Sequence, residues 1–217
     1  MNQQKLINNT VAFVQDTLAG AESGHDWYHI ERVWKNAKAI AQAEPVDLFV
    51  VELGALLHDI AEPKFHGGDE DLGPKVAEDF LTAQNVPADI VAHVKNIIRH
   101  ISFKKTFDED TWTSPELQVV QDADRLDAIG AIGIARTFMY GGHKNNQMHD
   151  PDVKPNLNMD KTTYKAGNTT VINHFYEKLL KLKDLMNTET GKQLAEERHQ
   201  FMENFLTQFH AEWNGEK

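Results

Sequence analysis

The chain has 217 residues, with 22 Lys and Arg against 33 Asp and Glu, giving a formal net charge of −11. That balance excludes broad affinity for a nucleic-acid backbone, so a phosphate would have to be held by a metal ion or a local basic cluster. Cysteine is absent, which excludes disulfides, thiolate nucleophiles and Cys-based zinc sites.

The length suits one sizeable domain. No apolar run approaches the ~20 residues of a membrane span. Met1-Asn2-Gln3-Gln4-Lys5 leads into no apolar signal segment, so a cytoplasmic protein is expected.

Apolar spacing predicts a helix over Gln3–Leu18, through Leu6, Ile7, Val11, Val14 and Leu18. Gly20 to Gly24 interrupts it. Asp26 offers a cap for a second helix, Trp27–Ala43, whose face carries Ile30, Val33, Ala37 and Ile40. Asp47 caps the helix that leads into His58-Asp59. Pro63–Leu72 reads as a loop, Pro74–Gln84 and Pro87–Ile101 as helices, and Ser102–Ser114 as irregular. Pro115–Tyr140 is a long helical stretch with a bend expected near Gly130 and Gly133. Gly141–Gly167, rich in Gly, Asn and Pro, reads as a long loop. Helices are expected again over Asn168–Met186 and, capped by Thr188, over Glu189–Trp213. The expected fold is therefore all-α, a single helical domain of eight to ten helices. Its motif-bearing core lies at about 20–140, and C-terminal helices occupy about 168–214.

The chemistry concentrates at Glu52-Leu53-Gly54-Ala55-Leu56-Leu57-His58-Asp59-Ile60-Ala61-Glu62. An Ala/Leu-rich helix running into adjacent ionisable side chains needs a reason, because burying them unpaired is costly. A metal ion is one such reason: a neutral imidazole and a carboxylate suit the same cation. His-Asp recurs at His25-Asp26 and His149-Asp150. Asp26 is explained as a helix cap, and His149-Asp150 as solvated loop residues. Completing a site takes further ligands. His29 sits beside the apolar face of its helix, where a packed or capping His is the bland alternative. Gln121-Asp122-Ala123-Asp124-Arg125-Leu126-Asp127-Ala128 places three carboxylates in an otherwise apolar run. Asp is a poor helix-interior residue. Either a salt-bridged or solvated face, or a metal ligand with hydrogen-bonded supporters, accounts for them.

The order His29, His58-Asp59, Asp124, each element on its own helix, resembles the HD superfamily of metal-dependent phosphohydrolases. Gly24-His25-Asp26-Trp27-Tyr28-His29-Ile30-Glu31-Arg32-Val33 and the Asp122–Gly133 run look like its small bacterial branch typified by the YpgQ and YedJ proteins. The resemblance implies an all-α HD-domain bundle in which His29, His58, Asp59 and Asp124 are the metal ligands. Asp124 is taken because the family ligand precedes a basic residue in an Ala-Asp-Arg/Lys context.

Two imidazoles and two carboxylates make a mixed N/O set suited to one divalent ion, Mn²⁺ first, with Fe²⁺, Co²⁺, Ni²⁺, Zn²⁺ or Mg²⁺ as alternatives. Such an ion activates water for attack on phosphorus. Glu62, three residues after Asp59, is expected on the same helical face if that helix persists, as the group that orients or deprotonates the water. Its bland alternative is a surface Glu at a helix end. His100 resembles a recurrent position of the branch and is expected to protonate the leaving oxygen or bind phosphate; a His favoured by a helix C-terminus is the alternative. Arg32, Lys64, Lys104 and Arg125 are expected to supply a cluster of two or three cations that hold substrate phosphates, although each alone reads more readily as a solvated charge. The 141–167 loop is placed to lid the pocket.

The expected function is phosphohydrolysis of a nucleotide or other small phosphorylated metabolite, leaning to nucleoside triphosphate pyrophosphohydrolysis. Nucleic-acid duplexes and membranes are not expected partners. Nucleotidase or phosphodiesterase activity, a non-catalytic nucleotide-binding regulatory module, and a purely structural bundle are the alternatives.

Overall fold

The computed structural model describes residues 2–21, 24–61, 67–101, 112–157 and 169–217. Among these are nine α-helices, one 3₁₀ helix and no strand. The fold is all-α, as the periodicity requires. The chain separates into two compact units, one up to Asp124 and the other from Arg125 onward.

The first unit holds α1 (Gln3–Thr17), α2 (Trp27–Ala41), α3 (Leu48–Leu57), α4 (Leu72–Ala83), α5 (Ala88–His100) and most of α6 (Pro115–Asp127). Its centre is α3, in which eight of ten residues are buried. A helix apolar on all sides is stable only when surrounded, and α1, α2 and α5 pack against it. Gly54 permits the closest approach: a Cβ there would sit 3.2 Å from the Ile97 side chain and 3.4 Å from Val120 Cγ2.

Caps fix where these helices begin. The Asp26 carboxylate accepts from the His29 N–H, and that of Asp47 from the Phe49 and Val50 N–H groups. Such a cap contributes about 1 kcal/mol. The backbone N–H of Asp47 donates to Glu116 Oε1 at 3.0 Å, tying the start of α3 to the first turn of α6.

The second unit holds α7 (Gly130–His143), α8 (Val171–Glu177), the 3₁₀ helix Leu179–Leu185 and α9 (Glu189–Trp213). Phe138, Phe175, Phe205 and Phe209 make its aromatic core, with ring centroids 5.8 to 6.3 Å apart. Thr188 caps α9 through the Gly191 N–H.

Three stretches differ most from the sequence reading. The Pro115–Tyr140 stretch is two helices. Ile129 is extended and Gly130 has φ +72°, a left-handed value that only glycine adopts freely. A Cβ on Gly130 would also meet Arg198 at 3.0 Å. The loop expected from Gly141 begins later, because α7 continues to His143. Gly141 is there for space: a Cβ would lie 2.3 Å from Val171 Cγ2 of α8. The helix expected over Asn168–Met186 is α8 followed by a 3₁₀ helix, parted at Lys178, which leaves helical geometry. No helix among the described residues is long and apolar enough to cross a membrane.

Candidate metal centre

His29 is the third residue of α2, and its buried neighbours Ile30 and Val33 carry it to the inner face. His58 and Asp59 follow α3 in a turn, closed by the Ile60 N–H bonding the Leu57 carbonyl at 3.2 Å. Asp124 lies in the last turn of α6. Residues from three separate helices or their ends thus converge within the first unit.

The ligand atoms of His29, His58 and Asp59 all lie within 4.8 Å of one another. The two Nε2 atoms are 3.3 Å apart. Asp59 Oδ2 is 3.6 Å from the His29 Nε2 and 3.8 Å from that of His58. Asp124 Oδ1 lies 3.5 Å from the His29 nitrogen and 4.0 Å from the His58 nitrogen. Both imidazoles are buried, 2% and 5% exposed. Asp124 is the open side of the group, its side chain 40% exposed.

The hydrogen bonds set the tautomer of His58. Its Nδ1 lies 2.8 Å from the Ala55 carbonyl oxygen, which can only accept, so Nδ1 carries the proton. A neutral His58 then presents a lone pair at Nε2, aimed at the Nε2 of His29. Two buried nitrogens facing each other at 3.3 Å need a proton or a cation to reconcile them. Asp59 Oδ2 and Asp124 Oδ1 each approach both nitrogens and add negative charge, with Asp59 alone of the two joining the group whose atoms all lie within 4.8 Å of one another. Donor type, donor number and convergence all fit a divalent cation held by mixed N and O ligands.

Burial works against ionisation of Asp59, but positive charge on His58 and His29, when these are protonated, and a hydrogen bond from His25 outweigh it. They hold its carboxyl well below the usual carboxylate range. His25 is a residue that the sequence reading passed over: its Nδ1 is 2.8 Å from Asp59 Oδ2. Only the preceding Gly24, at φ +104°, hints in the sequence at an unusual chain turn there.

The other expected site residues fall out differently. Arg32 is half-buried, one turn beyond His29 on α2. Glu62, Lys64 and Lys104 lie outside the described residues. The premise for Glu62, a continuous helix from Asp59, does not hold through Ala61, because α3 ends at Leu57 and 58–61 run as turns. His100 is half-buried; its Nδ1–H donates to the Asn96 carbonyl at 2.8 Å, and its ring lies 5.6 Å from that of Trp112. Arg125 is 8% exposed and gives its guanidinium to the Leu185 carbonyl inside the second unit. A buried guanidinium on a backbone carbonyl supports packing there, which is not the open phosphate contact expected of it. Asp122 is fully buried, and Asp127 pairs with Arg136. His149 is not a solvated loop residue: its ring lies edge-on 4.8 Å from Trp213 and 5.8 Å from Phe209, brought there by the last turns of α9.

The chain is similar to known proteins over nearly its whole length. A family model described as HD domain matches residues 26–129. YpgQ of Bacillus subtilis (strain 168) is 38% identical over 220 residues, covering 99% of this chain and 97% of that protein. One of its crystal structures, in complex with ADP, is similar with a TM-score of 0.76 and 36% identity, covering 98% of this chain and 97% of that one. A crystal structure from Lactobacillus plantarum is 42% identical with a TM-score of 0.84, covering 99% and 100% of the two chains. That of an HD-superfamily hydrolase from Bacillus thuringiensis is 44% identical with a TM-score of 0.79, covering 98% and 99%. With His29, His58 and Asp59 gathered inside the matched segment, the chain belongs to the HD-domain family and shares the fold of HD-superfamily hydrolases.

Proposed function

We propose that this protein is a metal-dependent phosphohydrolase acting on nucleotides, and that it splits nucleoside triphosphates into a monophosphate and pyrophosphate. The observation that carries the reading is the pair of Nε2 atoms facing each other at 3.3 Å, with Asp59 Oδ2 and Asp124 Oδ1 each within 4.0 Å of both. On this reading His29, His58, Asp59 and Asp124 hold one divalent ion, Mn²⁺ first. When bound, such an ion acidifies water and withdraws charge from phosphorus. The ADP complex of YpgQ supports a nucleotide as the ligand class.

The remaining roles belong to the chain's own side chains. Arg32, one turn from His29, supplies positive charge to the phosphates, with Lys64 and Lys104 joining it on sequence position. Arg125 is left out, because its guanidinium serves Leu185. Glu62 takes the proton of the attacking water. Oxygen adds to the α-phosphorus, the bond from that phosphorus to the bridging oxygen breaks, and pyrophosphate leaves with the bonding pair. His100, with Nδ1–H committed to Asn96, gives the departing oxygen a proton from Nε2 when the ring is in its doubly protonated, imidazolium form, and is left as the neutral Nδ1–H imidazole.

The test is a panel of phosphoesters and nucleotides assayed with Mn²⁺ and read by malachite green. Phosphate that appears only after added pyrophosphatase, together with a nucleoside monophosphate, is the expected result. Phosphate released directly would assign a nucleotidase, and cleavage of diesters alone a phosphodiesterase. Tight nucleotide binding without product under any divalent ion would make the protein a binding module.

A further inference from the structure

His25 stands outside the four proposed ligands, yet it touches one of them. Its Nδ1 lies 2.8 Å from Asp59 Oδ2. That oxygen is the one that faces His29 Nε2 at 3.6 Å and His58 Nε2 at 3.8 Å. We propose that His25 is the positioning residue of the centre, its Nδ1–H donating to the Asp59 oxygen that meets the cation and so fixing which oxygen is presented and in what direction.

Asp59 follows α3 in a turn, so no helix geometry constrains its side chain. The terminal torsion of an aspartate is broad and two-fold, so an unheld carboxylate swings and exchanges its oxygens. Ionised Asp59 can only accept, which places the proton on Nδ1 of His25. His25 is set apart from the ligands by its bond: its Nδ1 is spent on Asp59 Oδ2, whereas His29 and His58 turn their Nε2 atoms towards each other. Nor is it core packing, since its side chain is 26% exposed. Its ring meets the His29 ring edge-on at 5.8 Å, which fixes the plane from which Nδ1 reaches Asp59. Gly24, at φ +104°, turns the chain immediately before it, a conformation other residues rarely adopt. Asp26, immediately after, is anchored as the cap of α2. The imidazole is thus held from both sides in sequence and aimed at one oxygen. Groups that hold metal ligands in this way typically change metal affinity by 10- to 100-fold when removed.

The inference rests on the metal reading above, and the test separates the two. Mn²⁺ binding is titrated calorimetrically for the wild type and for His25→Ala, His25→Asn and His25→Gln. Asparagine puts an amide N–H where Nδ1 stands; glutamine puts its amide where Nε2 stands. The expected outcome is roughly 10- to 100-fold weaker binding for His25→Ala, recovery in His25→Asn and no recovery in His25→Gln. If His25→Ala fails to fold, the asparagine and glutamine variants still decide the matter by the same contrast. Wild-type affinity in His25→Ala, or binding in His25→Asn that is lost or as weak as in His25→Gln, overturns the proposal while leaving the metal centre standing. Absence of Mn²⁺ binding in the wild type overturns both.

Discussion

His58 donates Nδ1–H to the Ala55 carbonyl at 2.8 Å and points Nε2 at the Nε2 of His29, 3.3 Å away. The first contact is local, made by the chain to itself three residues back. The second joins residues 29 positions apart and is favourable only with a proton or a cation between the two nitrogens. The pair therefore links folding of the first unit to whatever occupies the space between the nitrogens.

Metal should stabilise the fold measurably. An ion that binds only the folded state adds about 2.7 kcal/mol at a hundred times its Kd, which for a chain of this size raises Tm by roughly 5 to 10 °C. Differential scanning fluorimetry with Mn²⁺ should show the rise, a chelator should reverse it, and Asp59→Ala should lose both the shift and phosphohydrolysis. An identical shift in Asp59→Ala would place the ion elsewhere.

Gly141 and Gly142 should respond oppositely to alanine although both lie near the end of α7. A methyl at Gly141 meets Val171 Cγ2 at 2.3 Å, whereas nothing lies within 4 Å of one at Gly142. Gly141→Ala should destabilise by about 1 to 3 kcal/mol through overpacking. Gly142→Ala should stabilise by up to about 0.5 to 1 kcal/mol, because it lowers the freedom of the unfolded chain. Urea midpoints at constant m-value compare the two; equal effects would contradict the α7–α8 packing.

Gly54→Val tests the centre of the first unit. The Cβ position is already 3.2 Å from Ile97, so two further methyl groups must displace α5 or α6. A loss of about 1 to 3 kcal/mol is expected, with weaker Mn²⁺ binding, because His58 and Asp59 follow the same helix. Unchanged metal affinity at lowered Tm would show that the turn after α3 is independent of the helix position.

Acid should weaken the second unit through His174. Burial, helped by the nearby Lys178 charge, pushes this imidazole down from 6.5 to about 4. The folded state thus favours the neutral form, and the unfolded chain binds the proton first. Its contribution is full above pH about 6.5 and is lost as pH falls from there towards 4. At about 1.4 kcal/mol per pH unit the ceiling is about 3 kcal/mol. His174→Gln should flatten that part of the Tm-against-pH curve, and an unchanged slope would assign the acid limb to other groups.

The sequence by itself determined the helices that carry the centre. The caps Asp26, Asp47 and Thr188, and an apolar α3 running into His58-Asp59, are local signals, because capping and helical periodicity depend on residues a few positions apart. The resemblance in those words also pointed to His29 and Asp124, whose Nε2 and Oδ1 prove to be 3.5 Å apart. Only the tertiary structure decided which atoms meet. Arg125 turned to the Leu185 carbonyl, Gly141 served α8 in place of a loop, and His25 came over Asp59 from 34 positions away. Such contacts arise from the packing of separate helices, which no short window of the chain encodes.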